Sequence, residues 1–303
     1  MNQIIEVNRL HKRYGETVAV DEVSFAVRPG EIFAIVGPNG AGKTTTVESI
    51  IGLRRPDRGT IRVLGLDPQA DEQALRRRIG VQLQEAALPD RIKVWEALDL
   101  FASFYRQTVD WEPLLADWGL ADKRQAHFGK LSGGQKQRLF IALALLNDPE
   151  VVFLDELTTG LDPQARRATW EAVRAIRDRG KTVVLVTHFM DEAEALADRV
   201  AIIDHGRVVA QDTPQALIAG LEAGTRVLFS SANGYDARAL RAVPGVTAVG
   251  VNGRDVTVRG SGPLLARVAV ALDAAGLQPL DLRVEQADME DVFLALTGRE
   301  IRA

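Results

Sequence analysis

The segment that most constrains this chain is a glycine-rich loop at residues 37–45. It follows an apolar run from Ile32 to Val36 and reads Gly37-Pro38-Asn39-Gly40-Ala41-Gly42-Lys43-Thr44-Thr45. The loop matches the pattern G-x-x-x-x-G-K-[ST], whose glycines let successive backbone N–H groups face one anion. The helical stretch that follows presents the positive end of its dipole to the same anion. A strand, this loop and a helix in that order predict a phosphate-binding site.

Side chains of the loop narrow the choice of ligand. We expect the Lys43 ammonium to reach the β- and γ-phosphates of a nucleotide and the Thr44 hydroxyl to ligate Mg²⁺. A dinucleotide-binding loop is excluded, because Gly37, Gly40 and Gly42 do not have the spacing G-x-G-x-x-G. A GTPase is disfavoured, because no Asn is followed by Lys and the guanine-reading Asn-Lys-x-Asp is therefore missing.

Two further apolar runs also end in residues that carry chemistry. The run 151–154 is followed by Asp155 and Glu156, and the run 183–186 is followed by Thr187 and His188. Short apolar runs without alternation predict strands buried on both faces, and a helical stretch follows each one. This βα order predicts an α/β fold that binds its ligand beyond the carboxyl ends of a parallel sheet.

The two acids after the run 151–154 have different expected roles. Asp155 directly follows the strand and is expected to hold Mg²⁺ through its water shell. Adjacent side chains diverge at a strand end, so Glu156 is expected to face a water near the γ-phosphate and to act as a general base. A solvated acid pair at a strand end is the alternative to both roles.

A segment just upstream of the Asp155 strand reads Leu131-Ser132-Gly133-Gly134-Gln135-Lys136-Gln137-Arg138. It resembles the signature of the ATP-binding-cassette (ABC) ATPases, and the resemblance covers about residues 3–220. It implies an α/β fold, a P-loop NTPase cassette with a mainly parallel sheet and helices over residues 1–222. It also implies a helical subdomain at about residues 85–145, with ATP and Mg²⁺ as the bound cofactors.

The resemblance gives roles to residues outside the three strand ends. Tyr14 is similar to the aromatic residue that stacks on adenine. Gln84 resembles the loop glutamine that contacts Mg²⁺ and senses the membrane partner, with Gln82 as a competitor. Asp162 resembles the central acid of a loop that crosses between protomers, and His188 resembles the switch histidine at the γ-phosphate. Plain packing or a surface position is the alternative for Tyr14 and for either glutamine.

One residue departs from the family pattern. The family usually has proline directly after the catalytic glutamate, where this chain has Leu157. Leucine restores a backbone N–H and frees φ, so the loop geometry at this position is open although Glu156 is present.

The signature also implies a partner. In the family, signature residues complete the site of the opposite protomer, which here gives that role to Ser132, Gly133, Gly134 and Gln135. A chain with one P-loop and one signature is therefore expected to form a C2 homodimer around ATP. No apolar run approaches the ~18–20 residues of a membrane span, so the expected transmembrane permease is a separate chain. The ATPase is then expected in the cytoplasm, peripheral on the inner face of the membrane.

Composition excludes other functions. The chain has 37 Lys+Arg against 41 Asp+Glu, a net charge of -4, which argues against nucleic acid as a partner. It has no cysteine, so disulfides, zinc–thiolate sites and cysteine nucleophiles are ruled out.

Residues 223–303 predict a small C-terminal α+β domain. Its pattern has the order βαββαβ, which favours a ferredoxin-like fold, and Asn252-Gly253 predicts a type I′ hairpin turn. The closing stretch from Met289 to Gly298 resembles the tail of ATP-binding subunits in ABC-2-type, daunorubicin-resistance-like exporters, which favours export. An importer ATPase with a solute-sensing C-terminal domain and a non-transport cassette ATPase are the alternatives.

Overall fold

The computed structural model describes residues 3–83, 87–221, 225–230, 238–277 and 279–298. The chain forms two compact units, residues 1–214 and residues 215–300. The domain boundary predicted at 222/223 falls outside the described residues and stays a prediction.

The first unit contains nine strands and seven helices within the described ranges. Its strands are β1 (Ile5–Tyr14), β2 (Thr17–Val27), β3 (Ile32–Val36), β4 (Arg58–Val63), β5 (Ile79–Gln82), β6 (Val151–Asp155), β7 (Thr182–Thr187), β8 (Arg199–Asp204) and β9 (Arg207–Asp212). Its helices are α1 (Lys43–Ile50), α2 (Glu72–Arg76), α3 (Val94–Ala102), α4 (Trp111–Asp117), α5 (Gly133–Leu145), α6 (Pro163–Asp178) and α7 (Met190–Leu196). The helix α8 (Pro214–Ala219) follows β9.

A six-stranded sheet in the order β5-β6-β7-β3-β8-β9 forms the centre of this unit. Its strands are parallel except for β9, which runs antiparallel to β8. The three strands expected from the apolar runs are the neighbours β6, β7 and β3, and all of their residues are buried. The parallel α/β fold is confirmed, and the three loops that carry chemistry leave the sheet at one edge.

An antiparallel sheet in the order β2-β1-β4 packs against the parallel sheet. The rings of Phe25 on β2 and Phe33 on β3 stack with centroids 5.2 Å apart. The core that joins the two sheets also takes in Val47 and Ile50 of α1. The helix after the glycine-rich loop is therefore held by both sheets.

Helices α3, α4 and α5 follow β5 in the chain and precede β6. The helix α3, from Val94 to Ala102, lies within the range 85–145 where the resemblance implied a helical subdomain. The signature begins α5 with a capping box, in which Ser132 N–H donates to Gln135 Oε1 (2.9 Å) and Gln135 N–H donates to Ser132 Oγ (3.3 Å). Within the described ranges, no helix has the length and apolarity that a bilayer span requires.

The second unit is built on a four-stranded antiparallel sheet. Its elements are β10 (Thr225–Ser230), α9 (Arg238–Arg241), β11 (Val246–Asn252), β12 (Asp255–Gly260), α10 (Leu264–Ala274), β13 (Leu280–Glu285) and α11 (Met289–Thr297). The order in the sheet is β11-β12-β10-β13. The βαββαβ succession and the antiparallel sheet agree with the predicted ferredoxin-like fold.

The hairpin between β11 and β12 forms where it was predicted, but its turn differs. Asn252 pairs with Asp255, so the two central residues are Gly253 and Arg254. Within this pair only Gly253 has a positive φ, of 60°. The type I′ prediction is wrong, because that turn needs positive φ at both central residues, and glycine at the first position is the pattern of a type II′ turn.

Candidate active site

The glycine-rich loop lies in close backbone contact with two neighbouring segments. A Cβ at Gly37 would lie 2.1 Å from the carbonyl oxygen of Ile203, and a Cβ at Gly42 would lie 2.2 Å from that of Ala19. Gly42 is the N-cap of α1 and has a φ of 99°, which an L side chain rarely adopts. These positions therefore require glycine for space and, at Gly42, for backbone conformation as well.

Lys43 is the first residue of α1, and its side chain is 6% exposed. Its ammonium donates to the carbonyl oxygens of Gly37 (2.8 Å) and Pro38 (3.0 Å), so it lies inside the curve of the loop. Burial lowers the pKa of Lys43, and the nearby carboxylates of Glu156 and Asp155 oppose that shift. The loop thus holds a cation beside two acids, which is the arrangement predicted for a phosphate site.

The rim of the loop is open to solvent. Asn39 and Gly40 are exposed, Pro38 is half-buried and Ala41 is buried. The Thr44 side chain is exposed at the start of α1, and Thr45 is half-buried on the same first turn. The rim of the loop and the Thr44 side chain are therefore both accessible to a ligand.

Asp155 ends β6 and is 4% exposed. Burial, with help from the carboxylates of Glu156 and Glu48, raises the pKa of Asp155 to about 6, against the opposing charge of Lys43. In the described part of the chain no three His, Asp or Glu side chains cluster as a metal site. Carboxylate and hydroxyl oxygens from Asp155 and Thr44 are nonetheless the donor types that Mg²⁺ takes together with water and phosphate, so these residues fit that ion.

Glu156 lies next to His188. Glu156 adopts the left-handed region with a φ of 50°, while its N–H still donates to Val186 O on β7 (2.9 Å). Its Oε1 lies 3.1 Å from Nδ1 of His188, and the His188 ring packs on Phe189 with centroids 4.0 Å apart. The ends of β6 and β7 therefore place the expected base and the expected switch histidine in direct contact.

Leu157, the departure from the family pattern, is 1% exposed. Its side chain joins the interior directly after Glu156. A buried apolar side chain thus anchors the loop here, where a proline ring would restrict the backbone instead.

Of the predicted adenine-stacking residue Tyr14 and the two candidate glutamines, Tyr14 and Gln82 lie in the described ranges. Tyr14 is 42% exposed at the end of β1, with the Lys12 ammonium 5.6 Å and the Arg54 guanidinium 5.9 Å from its ring centroid. Gln82 is 5% exposed and donates through Nε2 to Leu83 O (2.8 Å). Gln84 lies outside the described residues.

The signature and the Asp162 loop meet in a separate cleft of about 390 Å³. Ser132, Gly133 and Gly134 line it together with Asp162. Asp162 caps α6, where its Oδ1 accepts from the N–H groups of Gln164 (3.0 Å) and Ala165 (2.9 Å). Residues of the glycine-rich loop do not line this cleft, so the signature and the glycine-rich loop lie at separate places on one copy of the chain.

Sequence reasoning missed one buried acid beside this site. Glu192 on α7 is fully buried, and its Oε1 accepts from Trp170 Nε1 on α6 (3.2 Å). Burial raises the pKa of Glu192, whereas the polar side chains of Thr187, Thr158 and Trp170 act against that shift. Glu192 therefore links α7 to α6.

A signal for this acid was present in the sequence. Glu192 shares the buried face of its helix with Ala193 and Leu196, at the spacing i, i+1 and i+4. A carboxylate at an apolar position of that spacing predicts a buried polar contact, whereas the surrounding acids Asp191 and Glu194 resemble an ordinary solvated face.

The raised pKa of Asp155 predicts that Asp155→Asn stabilises the free chain in a pH-dependent way. The folded chain holds the Asp155 proton with a pKa of about 6 against an ordinary 3.8, so the unfolding free energy falls as the pH rises through this window. Asparagine removes that cost. With a chelator present, we expect a gain of about 3 kcal/mol at about pH 8 and roughly half of it at about pH 5. Denaturant unfolding of both proteins measures it, and an equal gain at both pH values would contradict the assignment.

The contacts of Glu192 predict different costs for two substitutions. Glu192→Ala leaves Trp170 Nε1 without its partner and opens a cavity, so we expect a loss of about 2–4 kcal/mol. Glu192→Gln keeps an oxygen for Trp170 and should lose less than half as much. The unfolding midpoints of both variants give the comparison, and equal losses would show that the contact with Trp170 contributes little.

Comparison with known proteins places this geometry in a family. The sequence model described as ABC transporter matches residues 20–159. Nod factor export ATP-binding protein I of Paraburkholderia xenovorans (strain LB400) is 42% identical over 307 residues, which cover 98% of each chain. The protein of the same name from Ralstonia nicotianae (strain ATCC BAA-1114 / GMI1000) is 40% identical, over 99% of this chain and 95% of its own length.

Solved structures agree with the sequence relatives. An ATP-binding subunit of an ABC transporter, 31% identical, superposes with a TM-score of 0.65 over 71% of this chain and 92% of its own. A dimeric ATP-binding cassette bound to ADP and Pi, 27% identical, superposes with a TM-score of 0.62 over 69% of this chain and 98% of its own. With a P-loop, acids and a histidine at one sheet edge and full-length relatives at 40–42% identity, this chain belongs to the ABC transporter family, as an ATP-hydrolysing, ATP-binding subunit.

Proposed function

We propose that this chain powers export as one of two identical ATPase subunits that close around ATP and drive separate membrane-spanning chains. The observation that carries the proposal is that, within one copy of the chain, the signature is separated from the glycine-rich loop and its neighbouring acids. Lys43, Asp155, Glu156 and His188 belong to loops at one sheet edge, whereas the signature lines another cleft with Asp162. A second copy related by a two-fold axis supplies the missing half to each site.

The residues at the sheet edge divide the work of hydrolysis. The loop amides and the Lys43 ammonium bind and orient the phosphates, with Thr44 and Asp155 as the residues that would hold Mg²⁺. When bound, Mg²⁺ neutralises charge on the β- and γ-phosphates. Glu156 takes the proton of the attacking water, and His188, in contact with Glu156 Oε1 at 3.1 Å, senses the γ-phosphate.

Tyr14 and the signature would bind the nucleotide from outside this edge. The half-exposed ring of Tyr14 offers a stacking face for adenine. From the second copy, the signature presents Ser132, Gly133 and the N-terminus of α5 to the γ-phosphate, where the helix dipole favours an anion. Gln135 would keep Ser132 in place through the capping box.

A groove on the first unit supports docking of a membrane-spanning partner. It has a volume of about 740 Å³, and its lining is largely apolar, with aromatic side chains from α3 and the residues after it. Phe104 is 69% exposed there, and Arg76 and Arg77 line the same groove. An exposed aromatic patch bordered by cations fits a short amphipathic helix of a permease that carries an acidic residue.

Export is the direction that the full-length relatives support. Those relatives are named export ATP-binding proteins, and they align with this chain through the second unit as well as through the cassette. We infer that the ATPase acts in the cytoplasm, on the inner face of the membrane, through its permease.

Glu156→Gln tests the catalytic assignment and the pairing together. The amide keeps the shape of the side chain but cannot accept the proton, so hydrolysis should fall by roughly 10²–10⁴-fold. Nucleotide binding should persist because it depends on Lys43 and the loop amides. The variant should then elute at twice its monomer mass with ATP and as a monomer without it.

Lys43→Ala is the control for this experiment, since it removes the cation that faces the phosphates and should abolish the ATP-dependent dimer. Near-normal turnover by the Gln variant would remove Glu156 from the mechanism.

Phe104→Glu tests the groove. An anion in place of an exposed aromatic ring removes apolar contact area and should reduce copurification of the cognate membrane chains by about tenfold or more. Val270→Glu, at a position that is 70% exposed on the second unit, is the matched control. Thermal unfolding of both variants checks that they are folded. Full copurification by Phe104→Glu would show that the partner docks elsewhere.

A further inference from the structure

The two edges of the sheet in the second unit differ in charge. At one edge, β13 reads Leu-Asp-Leu-Arg-Val-Glu and alternates Asp281, Arg283 and Glu285 with apolar residues. At the other edge, β11 reads Val-Thr-Ala-Val-Gly-Val-Asn and has no charge in seven residues. Charged side chains are a common protection of edge strands against pairing with another chain. By this criterion the β13 edge is protected by charge, whereas the β11 edge is not charged and has one irregularity, between Val246 and Ala248.

The outer side of β11 is available among the described residues. There β11 pairs only with β12. Val249 and Val251 lie opposite the buried Val258 and Val256, so their side chains point to the core face of the sheet. Val251 is nonetheless 45% exposed, and no strand other than β12 pairs with β11 in the described part of the chain. Another strand at this edge would complete the burial that β11 leaves unfinished.

We propose that β11 pairs antiparallel with β11 of a second copy, joining the two four-stranded sheets into one sheet of eight strands. A neutral strand offers no charge to a charged peptide, whereas it is compatible with its own copy across a two-fold axis. The proposal rests on the proposed function in one respect, since the pairing of two cassettes is what supplies the second copy.

The pairing has a defined register. The pairing with β12 is irregular between Val246 and Ala248, so the regular part of β11 runs from Ala248 to Asn252, with Gly250 at its centre. An axis at Gly250 places Val249 opposite Val251 of the partner subunit. Four valines then form one apolar patch on the core face of the joined sheet.

A single pair of strands buries little surface area, so it forms only when something else holds the two copies together. Five residues on each side bury far less than the roughly 1,200–2,000 Å² of a stable independent interface. Pairing of the cassettes converts the contact into an intramolecular one with an effective concentration in the millimolar range. We therefore expect β11 to pair when the cassettes are closed on ATP and to contribute little in the free monomer.

The absence of cysteine from the chain makes a direct test possible. Gly250→Cys introduces one thiol at the proposed axis, where the Cβ meets no atom closer than Thr257 O at 4.0 Å. The two Cα atoms at this position, one from each subunit, would face each other across the axis within the roughly 4.4–6.8 Å that a disulfide spans. Arg283→Cys, at an exposed position in the middle of the opposite edge strand, is the matched control.

Both cysteine variants are made in full-length Glu156→Gln protein and oxidised mildly with and without ATP. We expect the Gly250→Cys protein to form a disulfide-linked dimer when ATP is present. The yield of that dimer should be at least about tenfold higher than the yield without ATP. It should exceed the yield from the Arg283→Cys protein by the same factor. Ala248→Cys should cross-link poorly, because its partner across the axis is Asn252 of the partner subunit.

Size exclusion of the same samples separates this proposal from the proposed function. An ATP-dependent dimer with no Gly250→Cys cross-link overturns the β11 pairing and leaves the cassette pairing intact. The absence of both the dimer and the cross-link overturns both. Equal cross-linking of the Gly250→Cys and Arg283→Cys proteins would mean random collision and would also overturn it.

Discussion

The hydrogen-bonded order of β6, β7 and β3 is the constraint on which the rest of the structure depends. Because β7 lies between the other two and all three are parallel, the chain must leave the sheet three times at the same edge. The first exit is the glycine-rich loop, the second the acid pair and the third His188. Lys43 and Asp155 are more than a hundred positions apart in the sequence, and the order of the strands alone places them close together. The buried apolar strands fix the position of this edge, and the polar residues at their carboxyl ends form the site there.

That placement has an electrostatic cost. Lys43 and Asp155 are both buried. Burial lowers the pKa of Lys43 and raises the pKa of Asp155, which favours the neutral form of each side chain. They lie near enough to offset each other in part, and Glu156 favours the charged Lys43 while it disfavours the charged Asp155. A site with this balance is poised for ligands that carry both charges, since phosphates favour the ammonium and a divalent cation favours the carboxylate. Burial of these two charges lowers the stability of the free protein, and binding of the nucleotide and the cation to the folded state stabilises it again.

The sequence predicted the features that depend on neighbours along the chain. The loop at 37–45, the strands that end at Asp155 and Thr187 and the βαββαβ succession all follow from local spacing and buried runs. The turn at Gly253 was misjudged because the choice between the two primed turns depends on where the strand pairing ends, and here Asn252 still pairs with Asp255. Glu192 was missed because its partner Trp170 is 22 residues away and becomes its neighbour only after α6 and α7 pack together.

The contact at Glu192 connects the helix capped by Asp162 with the segment that follows His188. The helix α6 begins at its cap Asp162, and on α6 Trp170 donates to the fully buried Glu192. Glu192 lies in the first turn of α7, four residues after His188, which contacts Glu156. The helix α6 contacts the segment after His188 a second time through Arg166. The Arg166 guanidinium lies 4.7 Å from the Phe189 ring centroid and forms an ion pair with Asp191 at 2.7 Å. The helix that Asp162 caps therefore contacts the segment after His188 at two places, Trp170–Glu192 and Arg166 with Phe189 and Asp191.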